Sequence, residues 1–563
     1  MASAKPGENG SSRIRNVGRA VFLGTGLLGA IVLIKTLYLQ TFQHGKWLRR
    51  YEAQVYTQKR YHFFRKPIVD KNGYPLAITI VEKSVCADPI QVSNPAEAAS
   101  TLSKILKVPE KTLMKKLSSK KRFTWIKRHI SDQKAQLIKR AKIPGIYIIK
   151  DRKRYYPHKW LGGQVIGFVG SDGHGLEGIE KCYDDVLSGR ESNKKVARDG
   201  LGRLLWAGAP EIWADKSELK LTVDSYIQFV SERAIQKCAE KYRAKSAQVV
   251  VLDISTFEIL AMVNWPFFDP NLYKYYSPEA WRNRVIMDIF EPGSTFKPIV
   301  VAAALEEKIL RPNSIIFCEN GSFRVPGHTI KDVHPHGWLS LSDVVKFSSN
   351  IGAAKVAMRL GAERYYHYIR KFGLGSKTGI DLSGEARGII RDWKSWRPID
   401  LATAAFGQGI GVTVLQLAVT FGAIANDGII KKPFIIKDHI KQNEGRRIMS
   451  RETAREIRKM LVRVTEKGGT GVAAVPEGYK VGGKTGTAQR IDPRTGKYSR
   501  GSYTALFVGF APADNPRIVV AVVVHEPHGA IYGGVVAAPV FREIVQNVLP
   551  YLGIFPKSKV ENT

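Results

Sequence analysis

The sequence predicts an α+β protein in three parts: one N-terminal transmembrane helix, an elongated α/β pedestal domain, and a larger domain with a central antiparallel sheet flanked by helices. Three observations predict it. Ala20 to Ile34 (AVFLGTGLLGAIVLI) carries no charge, and Thr36–Leu39 extends it past Lys35. Residues 41–215 mix short strand-like runs with basic helical stretches. Beyond Leu221 the character changes to apolar strands beside strongly apolar helical runs. With 44% apolar and 24% charged residues among 563, the chain is neither disordered nor all-membrane. At ~100–200 residues per domain it holds two to four domains.

With Lys35 snorkelling to the interface, Ala20–Leu39 supplies about 20 residues, enough for one bilayer crossing. A cleaved signal peptide needs a small-residue cleavage site, and the following IKTLYLQTFQ offers none. Arg13, Arg15 and Arg19 precede the span and predict a cytoplasmic N-terminus. Residues 1–19 then form a short cytoplasmic tail and 20–39 the anchor. Everything past residue 40 is expected outside the cytoplasm, on the periplasmic or extracellular side.

The formal charge is +37, from 87 Lys and Arg against 50 Asp and Glu. It is densest over 101–160, where 19 Lys and Arg meet only Glu110, Asp132 and Asp151. Each lysine taken singly reads as a solvated helix face. Together they suit anionic lipid headgroups or an anionic wall polymer, and placement outside the cytoplasm argues against nucleic acid. Cys86, Cys182, Cys238 and Cys318 form no CxxC pair and have no zinc-like spacing, so no disulfide scaffold, metal or cofactor is expected. His328, His334, His336 and His525 resemble a ligand cluster, but His334-Pro335-His336 reads as loop surface, and Trp338 and Tyr503 read as cleft-lining, cleft-wall or core residues.

Residues 41–215 are expected as a non-catalytic pedestal, with Gly175–Arg190 as a hinge. Residues 216–550 form the second domain and 551–563 a tail. Within the second domain, Thr222–Cys238 reads as a helix. Ala247–Val263 reads as two strands joined by a turn at Ser255–Glu258, and Thr504–Ala511 and Ile518–Val524 as late strands.

The chemistry gathers in three motifs. Glu291-Pro292-Gly293-Ser294-Thr295-Phe296-Lys297-Pro298 precedes the apolar run Ile299–Leu305. Pro298 fits only a first helical turn, so Ser294 opens a buried helix and Lys297 falls on its face three residues on. A serine hydroxyl needs a neighbour to take its proton, and a lysine of depressed pKa can do so. SxxK alone is weak, since it recurs at Ser118, Ser131, Ser192 and Ser217. Ser348-Ser349-Asn350, however, is the sole SxN in the chain. Lys484-Thr485-Gly486-Thr487 follows Gly482-Gly483 on an expected strand, whose edge can pair with an extended peptide while the lysine and hydroxyls take its carboxylate. Lys377-Thr378-Gly379 repeats the last motif in a Gly-rich turn and reads as structural.

This ordered triple resembles the penicilloyl-serine transferases, and most closely the class B penicillin-binding proteins. The similarity extends through Arg65-Lys66-Pro67-Ile68-Val69-Asp70-Lys71-Asn72-Gly73, Arg154-Tyr155-Tyr156-Pro157, Gly175-Leu176-Glu177-Gly178, Arg282-Asn283-Arg284 and Gly407-Gln408-Gly409. The first of these boxes departs from the class at Lys66 and Pro67. No glycosyltransferase domain is read before residue 216, as class B requires.

The resemblance implies a peptidoglycan D,D-transpeptidase whose 41–215 region is of dimerisation type, inhibited by β-lactams. By it, Ser294 is the nucleophile, Lys297 the general base and Ser348 a proton relay, while Asn350 holds substrate amide and lysine. Lys484 sets the positive potential, and Thr485, Gly486 and Thr487 bind the substrate carboxylate end. It also implies stem peptides as substrate, the membrane, a polytopic SEDS-type glycosyltransferase and other divisome proteins as partners, and a septal role. The alternatives are an elongation-type transpeptidase, a DD-carboxypeptidase, a serine β-lactamase, a penicillin sensor, or a divisome scaffold with a vestigial site.

Overall fold

The computed structural model describes residues 9–61, 64–188, 192–197, 217–442, 444–491 and 494–556. They fall into two compact units, Met1–Phe64 with Gly189–Ala214, and Arg65–Ser188 with Asp215–Thr563. In the first unit a single helix runs Asn9–Thr41 and contains the expected span. Among the described residues, its Ile14–Thr41 stretch alone is long and apolar enough to cross a membrane. Helix His44–Val55 follows, and strand Tyr56–Tyr61 pairs antiparallel with Ser192–Ala197.

In the second unit a five-stranded antiparallel sheet runs in the order Gly482–Ile491, Tyr498–Ala511, Ile518–His525, Ser246–Asp253, Ile259–Trp265. Alternate residues serve opposite cores. Val249, Val251, Phe507 and Val522 pack with helices Ser225–Lys241 and Ala538–Tyr551. Val250, Leu506, Val508 and Val523 pack with helices Lys297–Glu306 and Val414–Ala425. All twelve residues of Val414–Ala425 are buried, so this apolar helix is core. The strand turn at Ser255–Glu258 is present as read. The first helix begins later than expected: Thr222 donates its hydroxyl to the Ile259 carbonyl, and Asp224 caps Tyr226 and Ile227.

The Arg65–Ser188 segment folds on a second sheet. Its long strand Pro75–Ala87 pairs with Thr124–Ile130 and Ile146–Tyr155, and Ile68–Val69 joins Leu219–Lys220 in parallel. The basic stretch builds its own small core from Leu102, Leu106, Leu113, Leu117 and Ile138. Its helices expose Lys104, Lys111, Lys115 and Lys139, while Lys116 donates to the Trp125 and Ile126 carbonyls.

Gly175–Arg190 is not a hinge over its described residues. It carries helices Gly178–Cys182 and Asp184–Ser188. Glu180, fully buried, accepts from Arg65 at 2.5 Å, Arg154 at 2.6 Å and the Tyr156 hydroxyl at 3.2 Å. The glycines there permit close backbone approach instead of bending: a Cβ at Gly178 would meet the Val165 carbonyl at 2.5 Å. Breaking this cluster leaves the buried Arg154 guanidinium without a carboxylate partner among the described residues, while Arg65 keeps Asp184 at 2.6 Å. Glu180→Gln is therefore expected to cost about 3–5 kcal/mol of stability, read by urea unfolding of the second unit.

Asp70 ties this segment to the sheet domain. One carboxylate oxygen accepts from Asn72 and Tyr74 N–H, each at 2.8 Å, and the other from Ser225 N–H at 3.1 Å. Lys71 pairs with the buried Glu258.

Candidate active site

Pro292 and Gly293 turn the chain into a 3₁₀ turn, Gly293–Phe296, that runs directly into helix Lys297–Glu306. In 3₁₀ geometry residues i and i+3 eclipse, so Ser294 and Lys297 share a side more closely than in an α-helix. The turn lies against the edge strand Gly482–Ile491. Gly293 has φ +54, and a Cβ there would stand 3.0 Å from the Thr487 carbonyl oxygen. A Cβ on Gly486 would stand 2.9 Å from the Thr295 methyl and 3.0 Å from the Pro292 carbonyl. Glycine at both positions lets the serine turn and the strand touch. The Ser294 hydroxyl is half-buried and has no hydrogen-bond partner among the described residues.

Lys297 is completely buried. Its ammonium donates to the Ser348 carbonyl, to Ser348 Oγ at 3.1 Å and to Asn350 Oδ1 at 2.8 Å. Burial drives its pKa well below the usual lysine value. The charge of Lys484 pushes the same way, and Asp332 only partly opposes them. The hydroxyl of Ser348 can accept from an ammonium or donate to a free amine, so both protonation states of Lys297 are satisfied. Ser348 itself sits at φ +62, a strained conformation for a non-glycine residue, which aims both its oxygens at Lys297.

Lys484 lies on the edge strand, also fully buried, with its pKa brought down to about 7 by desolvation. Among the described residues it makes only long contacts, to the Thr485 carbonyl at 3.3 Å and hydroxyl at 3.4 Å. The Thr485 hydroxyl meets Thr470 Oγ1 at 2.8 Å, and Thr487 Oγ1 accepts from Gly533 N–H at 3.2 Å. The edge position leaves one side of the strand unpaired for an extended ligand.

Asp332 is the residue sequence reading missed. One oxygen accepts from the N–H groups of Asn350 and Ile351, at 2.5 and 3.0 Å, and the other from the Ser349 hydroxyl at 2.6 Å. It thereby anchors the N-terminus of helix Asn350–Leu360 and fixes the SxN loop. It stands 18 residues from Asn350 with no local pattern, so only the fold brings it there.

The other motif copies take ordinary places. In the second KTG, Thr378 and Gly379 donate to Glu385, buried within a turn. Ser131 caps a helix and Ser118 ends one. His334 is exposed, His336 packs on Phe347 and His525 is buried, so the histidines do not converge. All four cysteines are free. Among the described residues no group of three or more His, Cys, Asp or Glu is placed to hold a metal.

A serine turn beside a buried lysine, a strained serine–asparagine loop and a lysine-bearing strand edge define a penicillin-binding transpeptidase site. Residues 247–546 match the family Penicillin binding protein transpeptidase domain, and residues 65–209 the Penicillin-binding Protein dimerisation domain. The chain is 36% identical over 544 residues to the protein named Probable peptidoglycan D,D-transpeptidase PenA of Neisseria gonorrhoeae, covering 95% of this chain and 93% of that one. It is 34% identical over 546 residues to Peptidoglycan D,D-transpeptidase FtsI of Escherichia coli K12, covering 95% and 92%. The crystal structure of penicillin binding protein 3 from Mycobacterium tuberculosis with aztreonam matches with a TM-score of 0.68 at 29% identity, over 89% of this chain and 98% of that one. The chain belongs to the class B penicillin-binding proteins and is a peptidoglycan D,D-transpeptidase.

Proposed function

We propose that the reaction passes through an acyl-enzyme at Ser294. The observation that carries this reading is the buried Lys297, held by Ser348 and Asn350 at the foot of the serine turn. As a free amine it takes the Ser294 proton while Oγ attacks the carbonyl of the penultimate D-alanine in a stem peptide. Ser348 relays that proton to the leaving amine, and terminal D-alanine departs. The developing oxyanion sits between the N–H groups of Ser294 and Thr487, each worth about 3–4 kcal/mol in the transition state. Lys484, Thr485, Gly486 and Thr487 hold the terminal carboxylate, and Asn350 the substrate amide. A second stem peptide's amine then attacks the ester and forms the cross-link. β-Lactams acylate the same serine.

Asp332 acts as a positioning residue in this scheme. Asp332→Asn replaces one acceptor with a donor facing the SxN loop, leaving an N–H or hydroxyl unsatisfied at about 1–3 kcal/mol. The expected result is acylation by a fluorescent penicillin slowed about tenfold to a hundredfold, with no change in melting temperature large enough to account for it.

The similarity to FtsI supports a septal role, with a SEDS-type glycosyltransferase and other divisome proteins as partners. The N-terminus lies in the cytoplasm, the anchor is 20–39, and 41–215 is a pedestal carrying the 216–550 catalytic domain outside. Full-length chain given a stem pentapeptide and an acceptor amine should yield D-alanine and the aminolysed peptide. Hydrolysed peptide alone would point to a DD-carboxypeptidase. A fluorescent fusion confined to the lateral wall would replace the septal role with elongation.

A further inference from the structure

Beside the serine turn lies a cavity of about 590 Å³, walled by the end of the edge strand (Ala488–Arg490), Phe290–Glu291 and Gly409–Gly411. That volume suits a drug-sized ligand. Four cations face it: Lys245, Arg282, Arg284 and Arg490. Their carboxylates are shared. Asp288 serves Arg282 at 2.8 Å and Arg284 at 3.1 Å, and Glu526 serves Lys245 at 3.2 Å and Arg490 at 3.3 Å. Each trio of two cations and one carboxylate carries an excess positive charge, which for the first is offset in part by the exposed Glu279, 3.4 Å from Arg284. Glu291, which also faces the cavity, is occupied by Gly409 N–H at 2.7 Å and the Tyr498 hydroxyl at 3.1 Å.

A second observation points to a ligand. His525, 3% exposed, lines the cavity and meets Thr504 Oγ1 through Nδ1 at 3.0 Å, while its Nε2 has no partner. The close Arg282 Nε–Asp288 Oδ1 pair also lacks hydrogen-bond alignment. Buried polar atoms left this way call for an occupant. The rest of the wall is apolar, from Ile289, Phe290, Ile389 and Ile410.

We propose that this cavity binds a carboxylate-bearing ligand, its anion held by the arginines and His525 Nε2–H and its apolar body on Ile289 and Phe290. Guanidinium forks match a carboxylate with paired N–H bonds. The carboxylate can come from a peptide or from a small aromatic acid. Calorimetric titration of the full-length chain in detergent with N-benzoyl-D-glutamate and with 2-naphthoate tests both sources, and the tighter binder identifies which applies. Binding is expected for at least one, weakened about tenfold when 2-naphthamide replaces 2-naphthoate or when Arg490→Gln removes a fork. Ile389→Trp, at a position 55% exposed, fills the cavity and should abolish binding without unfolding the chain. Heat of neither probe at millimolar concentration would mean the cavity holds water only and would overturn the proposal. Binding that both variants leave unchanged would overturn it equally. Penicillin acylation of the same samples reports the serine site separately, so failure here leaves the transpeptidase reading untouched.

Discussion

Ser294→Ala is expected to reduce D-alanine release from a stem pentapeptide by about a millionfold, the scale seen when a serine nucleophile is removed from a hydrolase. The argument is geometric. The hydroxyl is half-buried in the turn, without a hydrogen bond among the described residues to stabilise the fold, and the turn itself packs on the strand that carries Lys484. Removing it deletes the attacking atom and little else. Melting temperature should therefore be unchanged while turnover, followed by coupled D-alanine detection, disappears.

Lys297→Met is expected to slow acylation about a hundredfold to ten-thousandfold, the range for a general base. Methionine keeps the length of a side chain that is already wholly buried. Stability should change little, because the loss of the hydrogen bonds to Ser348 and Asn350 is offset by removal of a charge that desolvation disfavours. The pH dependence follows from the two lysines. Acylation rises with pH as Lys297 loses its proton well below the usual lysine range. The second-order constant then declines above pH 7 as Lys484 loses the charge that attracts the carboxylate. Stability moves in one direction. Between about 7 and the unfolded value of 10.5 the unfolded chain holds a proton that folded Lys484 lacks, so stability rises with pH there. That gain is lost progressively as pH falls from 10.5 to about 7, and below 7, where both states hold the proton, Lys484 adds no further slope. Lys484→Met should flatten that rise, as measured by urea unfolding across the range.

The parts legible in the sequence are those with a local physical signature. Ile518–Val524 is a continuous apolar run because both faces of its strand are covered. Pro298 marked the start of the buried helix, and the spacing of Ser294 and Lys297 gave a shared side, though its first turn is 3₁₀ and lines them up more nearly than an α-helix does. Density of glycine misled at Gly175–Arg190, since glycine serves bending and close packing alike, and only the distant arginines Arg65 and Arg154 decide between them. The strand read from Thr504 starts earlier, at Tyr498, because Ser499-Arg500-Gly501-Ser502 carries no apolar alternation. Asp332 and Glu180 were invisible for one reason: each acts through partners far along the chain.

The central claim is a covalent bond at Ser294, and intact-protein mass after exposure to benzylpenicillin tests it most directly. The full-length chain in detergent should gain the mass of one drug molecule, stable over hours, with peptide mapping placing it on the Ser294–Lys297 segment and Ser294→Ala gaining none. An adduct that persists in Ser294→Ala, or an unmodified wild-type chain beside intact drug, would contradict the account.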